Sequence, residues 1–155
     1  MMAQPVQRAE LLARRILAID DEEANVLLLA SLLEREGYGD VHYLTDPVRA
    51  VETFLTLQPD IVLLDLMMPG VDGFQLLEAF ARHAREDEFR PILVLTADTT
   101  LQARRRALAL GAKDFVVKPF DIIEISLRIA NLLETRILYE RLRQNALQQP
   151  PANQV

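Results

Sequence analysis

Short, nearly continuous apolar runs alternate along the chain with longer stretches in which apolar residues recur every three or four positions. The runs Ile16 to Ile19, Val41 to Leu44, Ile61 to Leu64, Ile92 to Leu95 and Phe115 to Val117 read as strands. Because they are nearly continuous rather than alternating, they predict a parallel sheet covered on both faces. Amphipathic stretches at about Glu23 to Glu36, Pro47 to Leu57, Gly73 to Ala84, Thr100 to Leu110 and from Asp121 onward read as the intervening helices. The result is a succession of βα units, an α/β fold. Gly37 and Gly111 stand where a helix must turn into a strand, Asp46-Pro47 reads as an N-cap followed by a first-turn proline, and Pro59 and Pro91 stop helical patterns just ahead of strands.

The last helix is longer than one sheet can use. Ile122, Ile125, Ile129, Leu132 and Leu133 form a core-facing stripe, and apolar positions continue through Ile137, Leu138, Tyr139 and Leu142. That continuation exposes apolar surface unless something covers it. It predicts a helical extension over residues 134–149 that either pairs with its copy in a homodimer or leads toward an output domain absent from this chain. Residues 1–14 read as an N-terminal extension and 150–155 as a flexible tail with nothing to bury.

Composition narrows the function. At 155 residues, 50% apolar and 26% charged, the chain has the profile of one globular domain with tails. It contains no cysteine, which excludes disulfides, thiolate metal sites and a cysteine nucleophile, and fits a reducing cytoplasm. No apolar run approaches the roughly 20 residues of a membrane span, and Met1 to Arg14 shows neither a signal core nor a cleavage site. A net charge of −6 argues against direct nucleic-acid binding or attachment to acidic membranes. The basic run Arg104-Arg105-Arg106 lies within a helical pattern and reads as a solvated face.

Candidate chemistry lies where the apolar runs stop. The first strand is followed by Asp20 and Asp21, the third by Asp65, the fourth by Thr96 and the fifth by Lys118. Open parallel sheets bind ligands outside the carboxyl ends of their strands, so these residues converge in one crevice. Three carboxylates there repel one another unless a cation joins them. With only oxygen ligands on offer, Mg²⁺, or Mn²⁺ in its place, is preferred over zinc. One lysine and one hydroxyl complete a phosphoryl-binding set, and a carboxylate among them can act as nucleophile and become an aspartyl phosphate. Each residue also has a plain reading. Asp20 to Glu23 suits an acidic first helical turn, Thr96 an N-cap and Lys118 a snorkelling side chain. It is their coincidence at four strand ends that favours function.

These residues carry a family resemblance. Asp20-Asp21, the segment Asp65-Leu66-Met67-Met68-Pro69-Gly70-Val71-Asp72-Gly73, Thr96-Ala97 and Lys118-Pro119-Phe120 together resemble the receiver domain of two-component response regulators, over about residues 15–133. The resemblance implies a flavodoxin-like, doubly wound five-stranded parallel sheet in the order 2-1-3-4-5 with five helices, the last one extended. It implies Asp65 as phosphoacceptor, Asp21 and the Met67 main-chain carbonyl as direct Mg²⁺ ligands, and Asp20 holding the metal through water. Thr96 and Lys118 would bind the phosphoryl oxygens, Ala97 would leave room for the group, and the Lys118-Pro119 bond would be cis. Phe115 matches the family's switch aromatic, although a plain core aromatic fits it as well. The implied partner is a sensor histidine kinase or a histidine phosphotransfer protein. The implied output is a switched surface on the helix near Thr100 to Leu110, the strand Phe115 to Val117 and the last helix, which offers a second route to a homodimer. Only self-phosphorylation from small donors and slow self-dephosphorylation are expected of it as chemistry.

Two rivals fit less well. A metal-dependent phosphohydrolase of the haloacid-dehalogenase type needs a second aspartate two residues after its nucleophile, and that position holds Met67, which cannot move a proton. A phosphorylation-independent interaction or dimerisation module would rest on the last helix alone. His42 and His83 lie away from the crevice, and Met67 and Met68 read as loop and core filling.

Overall fold

The computed structural model describes residues 4–148. In chain order the elements are α1 (Arg8–Leu12), β1 (Arg15–Ile19), α2 (Glu23–Glu36), β2 (Asp40–Leu44), a single 3-10 turn (Pro47–Arg49) running into α3 (Ala50–Leu57), β3 (Ile61–Asp65), β4 (Met67–Met68), β5 (Val71–Asp72), α4 (Gly73–His83), β6 (Ile92–Thr96), α5 (Leu101–Ala109), β7 (Asp114–Val117) and α6 (Ile122–Gln148). The main sheet has five strands in the order β2-β1-β3-β6-β7, every neighbouring pair parallel. This is the doubly wound order, and it places the ends of β1, β3, β6 and β7 side by side. The tail expected over residues 150–155 lies outside the described residues.

Alternate strand residues feed two cores. Leu17, Ile19, Val62, Leu64 and Val94 pack with Phe54 of α3, Leu77 and Phe80 of α4 and Ala107 of α5 on one face. Ile16, Ala18, Ile61, Leu63, Leu93 and Leu95 pack with Leu29 and Leu33 of α2 and Ile125, Ile129 and Leu133 of α6 on the other. The period-2 geometry of a strand divides one apolar run between two layers in this way. Turns close where the sequence placed them. Gly37 and Gly111 adopt φ of 95° and 118°, and Asp46 caps its turn by accepting from the Val48 N–H at 3.2 Å.

Two small elements were not foreseen. One is α1, a sixth helix lying within what reads as a plain extension. The other is the antiparallel β4–β5 hairpin between β3 and α4. The hairpin brings Gly73 so close to Leu66 that a Cβ at Gly73 would stand 2.5 Å from the Leu66 Cα and 2.6 Å from its carbonyl oxygen. Only glycine permits that approach.

The seam of α6 also differs from the expected stripe. Ile125, Ile129, Leu133 and Ile137 are buried in steps of four, whereas Ile122, the first residue of the helix, is exposed and Leu132 is half-buried. Arg136 is buried in the same seam and pairs with Asp60 at 2.8 Å and with Glu88 and Glu140 at 3.4 Å each, while donating to the Phe89 carbonyl at 2.7 Å. The distal half of α6 is therefore docked on the body. Arg141 grips both carboxylate oxygens of Glu10 at 2.8 and 2.7 Å, and Arg14 pairs with Glu140 at 2.8 Å. Leu138, Tyr139, Leu142 and Leu147 remain exposed.

Two outcomes follow from this packing. Gly73→Ala should cost about 1–3 kcal/mol, because the new methyl must displace backbone, and urea melts of the two chains will read it. Reversing one charge of the Glu10–Arg141 pair should speed hydrogen exchange in residues 134–148 by about two- to fivefold, and the double swap Glu10→Arg with Arg141→Glu should restore the protection.

Candidate functional site

The carboxyl ends of the strands deliver their polar residues as a group because backbone register fixes them. Ile19 pairs with Leu64 across β1 and β3, and Asp65 pairs with Leu95 across β3 and β6. Asp20 therefore follows β1 beside Asp65 at the end of β3. One carboxylate oxygen from each of Asp20, Asp21 and Asp65 lies within 4.8 Å of the others. Asp20 and Asp65 are almost wholly buried and Asp21 is half-buried.

Each carboxylate is partly engaged. Asp20 accepts from the Glu22 N–H at 2.9 Å and Asp65 from the Met67 N–H at 3.0 Å. Lys118, carried by β7 into the crevice, places its ammonium 2.9 Å from Asp20 and 3.1 Å from Asp65. The Lys118-Pro119 peptide bond is cis. One oxygen of Asp21, Oδ1, is buried without any hydrogen-bond partner. One ammonium against three carboxylates leaves negative charge in excess, and an orphaned buried oxygen calls for a cation. An oxygen-only set of this kind fits Mg²⁺ or Mn²⁺.

The electrostatics follow from that crowding. Burial pushes the Asp65 carboxyl above the usual carboxylate range, and the charge of Asp20 adds to it. The Met67 N–H and Lys118 oppose the shift without cancelling it. For Lys118, burial alone would lower the pKa, but the hydrogen bond to Asp20 and the charges of Asp65 and Asp20 outweigh it, so the ammonium is held above the ordinary lysine value.

A cleft of about 400 Å³ opens over the group, lined by Glu22, Asn25, Asp65, Met67, Ala97, Lys118 and Pro119. Thr96 stands at the end of β6, beside this cleft in sequence but not in its lining. It is fully buried, and its Oγ1 accepts from the Asp98 N–H at 3.2 Å, which leaves the hydroxyl proton free to donate. Phe115 lies inward in the core, with the Arg104 guanidinium 6.0 Å from its ring centroid. Glu22 and Asn25 were not singled out from sequence. They face the cleft because α2 starts directly after Asp20 and Asp21, and Asn25 donates to Glu22 at 2.9 Å.

Comparison with known proteins agrees with this fold. Residues 16–130 match the family model described as "Response regulator receiver domain". The chain belongs to the response regulator receiver family. It is 40% identical over 119 residues to the DNA-binding dual master transcriptional regulator RpaA of Synechocystis, a match covering 77% of this chain and 48% of that protein. It is 36% identical over 143 residues to the transcriptional regulatory protein TrcR of Mycobacterium tuberculosis, covering 92% and 54%. The chain thus spans about half the length of these curated relatives. Among solved structures, Vibrio cholerae CheY4 superposes with a TM-score of 0.70 at 26% identity, covering 77% of this chain and 98% of its own. The Francisella response regulator 1452 receiver domain does so with 0.70 at 27%, covering 80% and 98%. The receiver family is one of signalling domains, and among the described residues no helix is long and apolar enough to cross a membrane.

The raised Asp65 pKa makes a signed prediction. Ionising a carboxyl whose folded pKa lies above its unfolded value costs the folded state, a penalty fully present above the folded pKa and lost as pH falls below the unfolded value of about 3.9. Without divalent metal, Asp65→Asn should therefore melt higher than the natural chain at pH 7, and the difference should close toward acid pH in calorimetric scans.

Proposed function

We propose that this receiver is a phosphorylation switch in which Asp65 accepts a phosphoryl group from a phosphohistidine on a sensor histidine kinase or a histidine phosphotransfer protein. The observation that carries the proposal is the convergence of Asp20, Asp21 and Asp65 around Lys118, with the Asp21 Oδ1 left without a partner. An Asp65 carboxylate oxygen forms the new O–P bond while the donor's P–N bond breaks and its imidazole leaves. No general base is required, because the nucleophile is already an anion.

Lys118 is placed to neutralise phosphoryl oxygens, and in taking them up it exchanges its contact with Asp65 for the transferred group. The Thr96 hydroxyl proton would turn to a second phosphoryl oxygen, and Ala97, small and at the cleft wall, leaves room for the group. Asp21 and the Met67 carbonyl would hold Mg²⁺ or Mn²⁺ directly, with Asp20 behind a water. When bound, the ion supplies charge neutralisation of the incoming oxygens. Phe115 already sits inward, so its part in switching would be to keep that position against a relocated Thr96. Self-phosphorylation from small donors and slow self-dephosphorylation are the only turnover this machinery supports, since Met67 offers no proton transfer.

Residues 15–133 form the receiver and residues 134–149 a helical extension, preceded by the extension 1–14. The site acts in the cytoplasm. Its output is a change in the α5–β7–α6 face, with a homodimer through that face or through α6, or an output domain outside this chain, reading the change. The natural chain and Asp65→Asn should be incubated with Mg²⁺ and acetyl phosphate and weighed intact. A single base-labile phosphoryl adduct on the natural chain, absent from the variant and absent with EDTA, is the expected result. An adduct of equal yield on Asp65→Asn would overturn the assignment.

A further inference from the structure

The cleft over Asp65 is lined differently on its two sides. One side carries Met67 of β4, 58% exposed, and Pro119, next to Lys118. The other carries Glu22 and Asn25, at the start of α2. Glu22 is anchored at both its backbone and its side chain. Its backbone N–H donates to Asp20 Oδ1 at 2.9 Å, and its carboxylate Oε2 accepts from the Asn25 Nδ2 at 2.9 Å.

That carboxylate keeps its charge unmatched. Glu22 is exposed, and among the described residues the one side-chain partner of its carboxylate is the neutral Asn25 amide. The carboxylates close enough to share a metal ion are Asp20, Asp21 and Asp65, without Glu22. A fixed negative charge at the entrance repels an anion and attracts an N–H donor. Asp65 is almost wholly buried beneath the cleft, and in-line displacement puts the leaving group on the far side of phosphorus from the nucleophile. Whatever leaves therefore faces the mouth where Glu22 stands.

Phosphoryl donors differ at that point. From an imidazole ring carrying phosphorus on one nitrogen and a proton on the other, the P–N bond breaks and its electron pair returns to the ring as the O–P bond forms on Asp65. Neutral imidazole leaves, still holding its N–H. From acetyl phosphate, the P–O bond breaks and an acetate anion leaves. On the reading that Asp65 is the phosphoacceptor, we propose that Glu22 selects the donor: its carboxylate accepts the ring N–H of a phosphoimidazole and repels an acyl phosphate. Asn25 is its positioning residue, and Met67 and Pro119 give the ring faces an apolar seat. The preference is one of recognition, so it reads in kcat/KM.

The full natural chain, Glu22→Gln, Glu23→Gln and Asn25→Ala are each treated with Mg²⁺ and either monophosphoimidazole or acetyl phosphate, and the second-order rate of formation of the base-labile adduct is followed by intact mass. The ratio of the two rates, phosphoimidazole over acetyl phosphate, should fall about five- to tenfold in Glu22→Gln, the effect of one charge-assisted hydrogen bond at an exposed site. Asn25→Ala, which frees the carboxylate to swing away, should lower the ratio part-way; a merely structural role would move both rates together. Glu23→Gln, which removes the neighbouring exposed acid outside the cleft lining, should leave the ratio unchanged. A ratio unmoved by Glu22→Gln, or moved equally by Glu23→Gln, overturns the proposal while the adduct itself upholds Asp65 as acceptor. No adduct on the natural chain from either donor overturns the phosphoacceptor reading and this proposal with it.

Discussion

Negative charge buried at the strand ends is the constraint around which this receiver is organised. Asp20 and Asp65 are nearly inaccessible to water and Asp21 is close by, at a place where each ionised carboxyl raises the cost of ionising the next. Strands buried on both faces have no other place to carry polar groups than their ends. The order β2-β1-β3-β6-β7 then decides which ends are neighbours. Lys118 relieves part of the repulsion by bridging Asp20 and Asp65. What it leaves unrelieved, the partnerless Asp21 oxygen and an Asp65 reluctant to ionise, is the capacity the site has for a divalent cation.

Charge is managed differently at the other end of the sheet. Asp60, just before β3, accepts from the Arg15 N–H at 2.8 Å and pairs with Arg136 of α6 at 2.8 Å. Around Asp60 acids and bases are matched, and they fasten the long α6 to the body. β3 thus runs from a neutralised aspartate at its start to an under-neutralised one at its end. The first helps fasten α6, and the second shares its one cation, Lys118, with Asp20. Both pieces of chain flanking the matched family region, α1 and the distal half of α6, meet through Glu10 and Arg141, so the two flanks are tied to each other.

The fold was legible because the sheet strands other than β2 carry compact apolar runs, whereas β2, at the sheet edge, is half-buried and includes His42, and because turns carry their own chemistry, as at Gly37, Asp46 and Gly111. The acidic group was legible for a related reason: polar residues directly after apolar runs are few, and sheet geometry forces them together. What was not legible depends on contacts distant in sequence. Residues Arg8–Leu12 give too short a pattern to announce a helix, and α1 is held by Glu36 and Arg141, far along the chain. Arg136 reads as a surface residue until Asp60 and Glu88 are brought to it. Glu22 and Asn25 became visible only once the start of α2 was placed over the crevice. That the Thr96 Oγ1 accepts from the Asp98 N–H reflects a turn geometry that residue identity does not encode.

The most direct measurement of the central claim, that the acidic crevice holds one divalent cation, is the melting temperature of the full chain against Mg²⁺ concentration at fixed ionic strength, beside Asp21→Asn. Mg²⁺ should raise the melting temperature of the natural chain with a saturating dependence, as required of a ligand that binds only the folded state, and should leave Asp21→Asn nearly unmoved. An equal rise in both chains, or no rise in the natural one, would contradict the account.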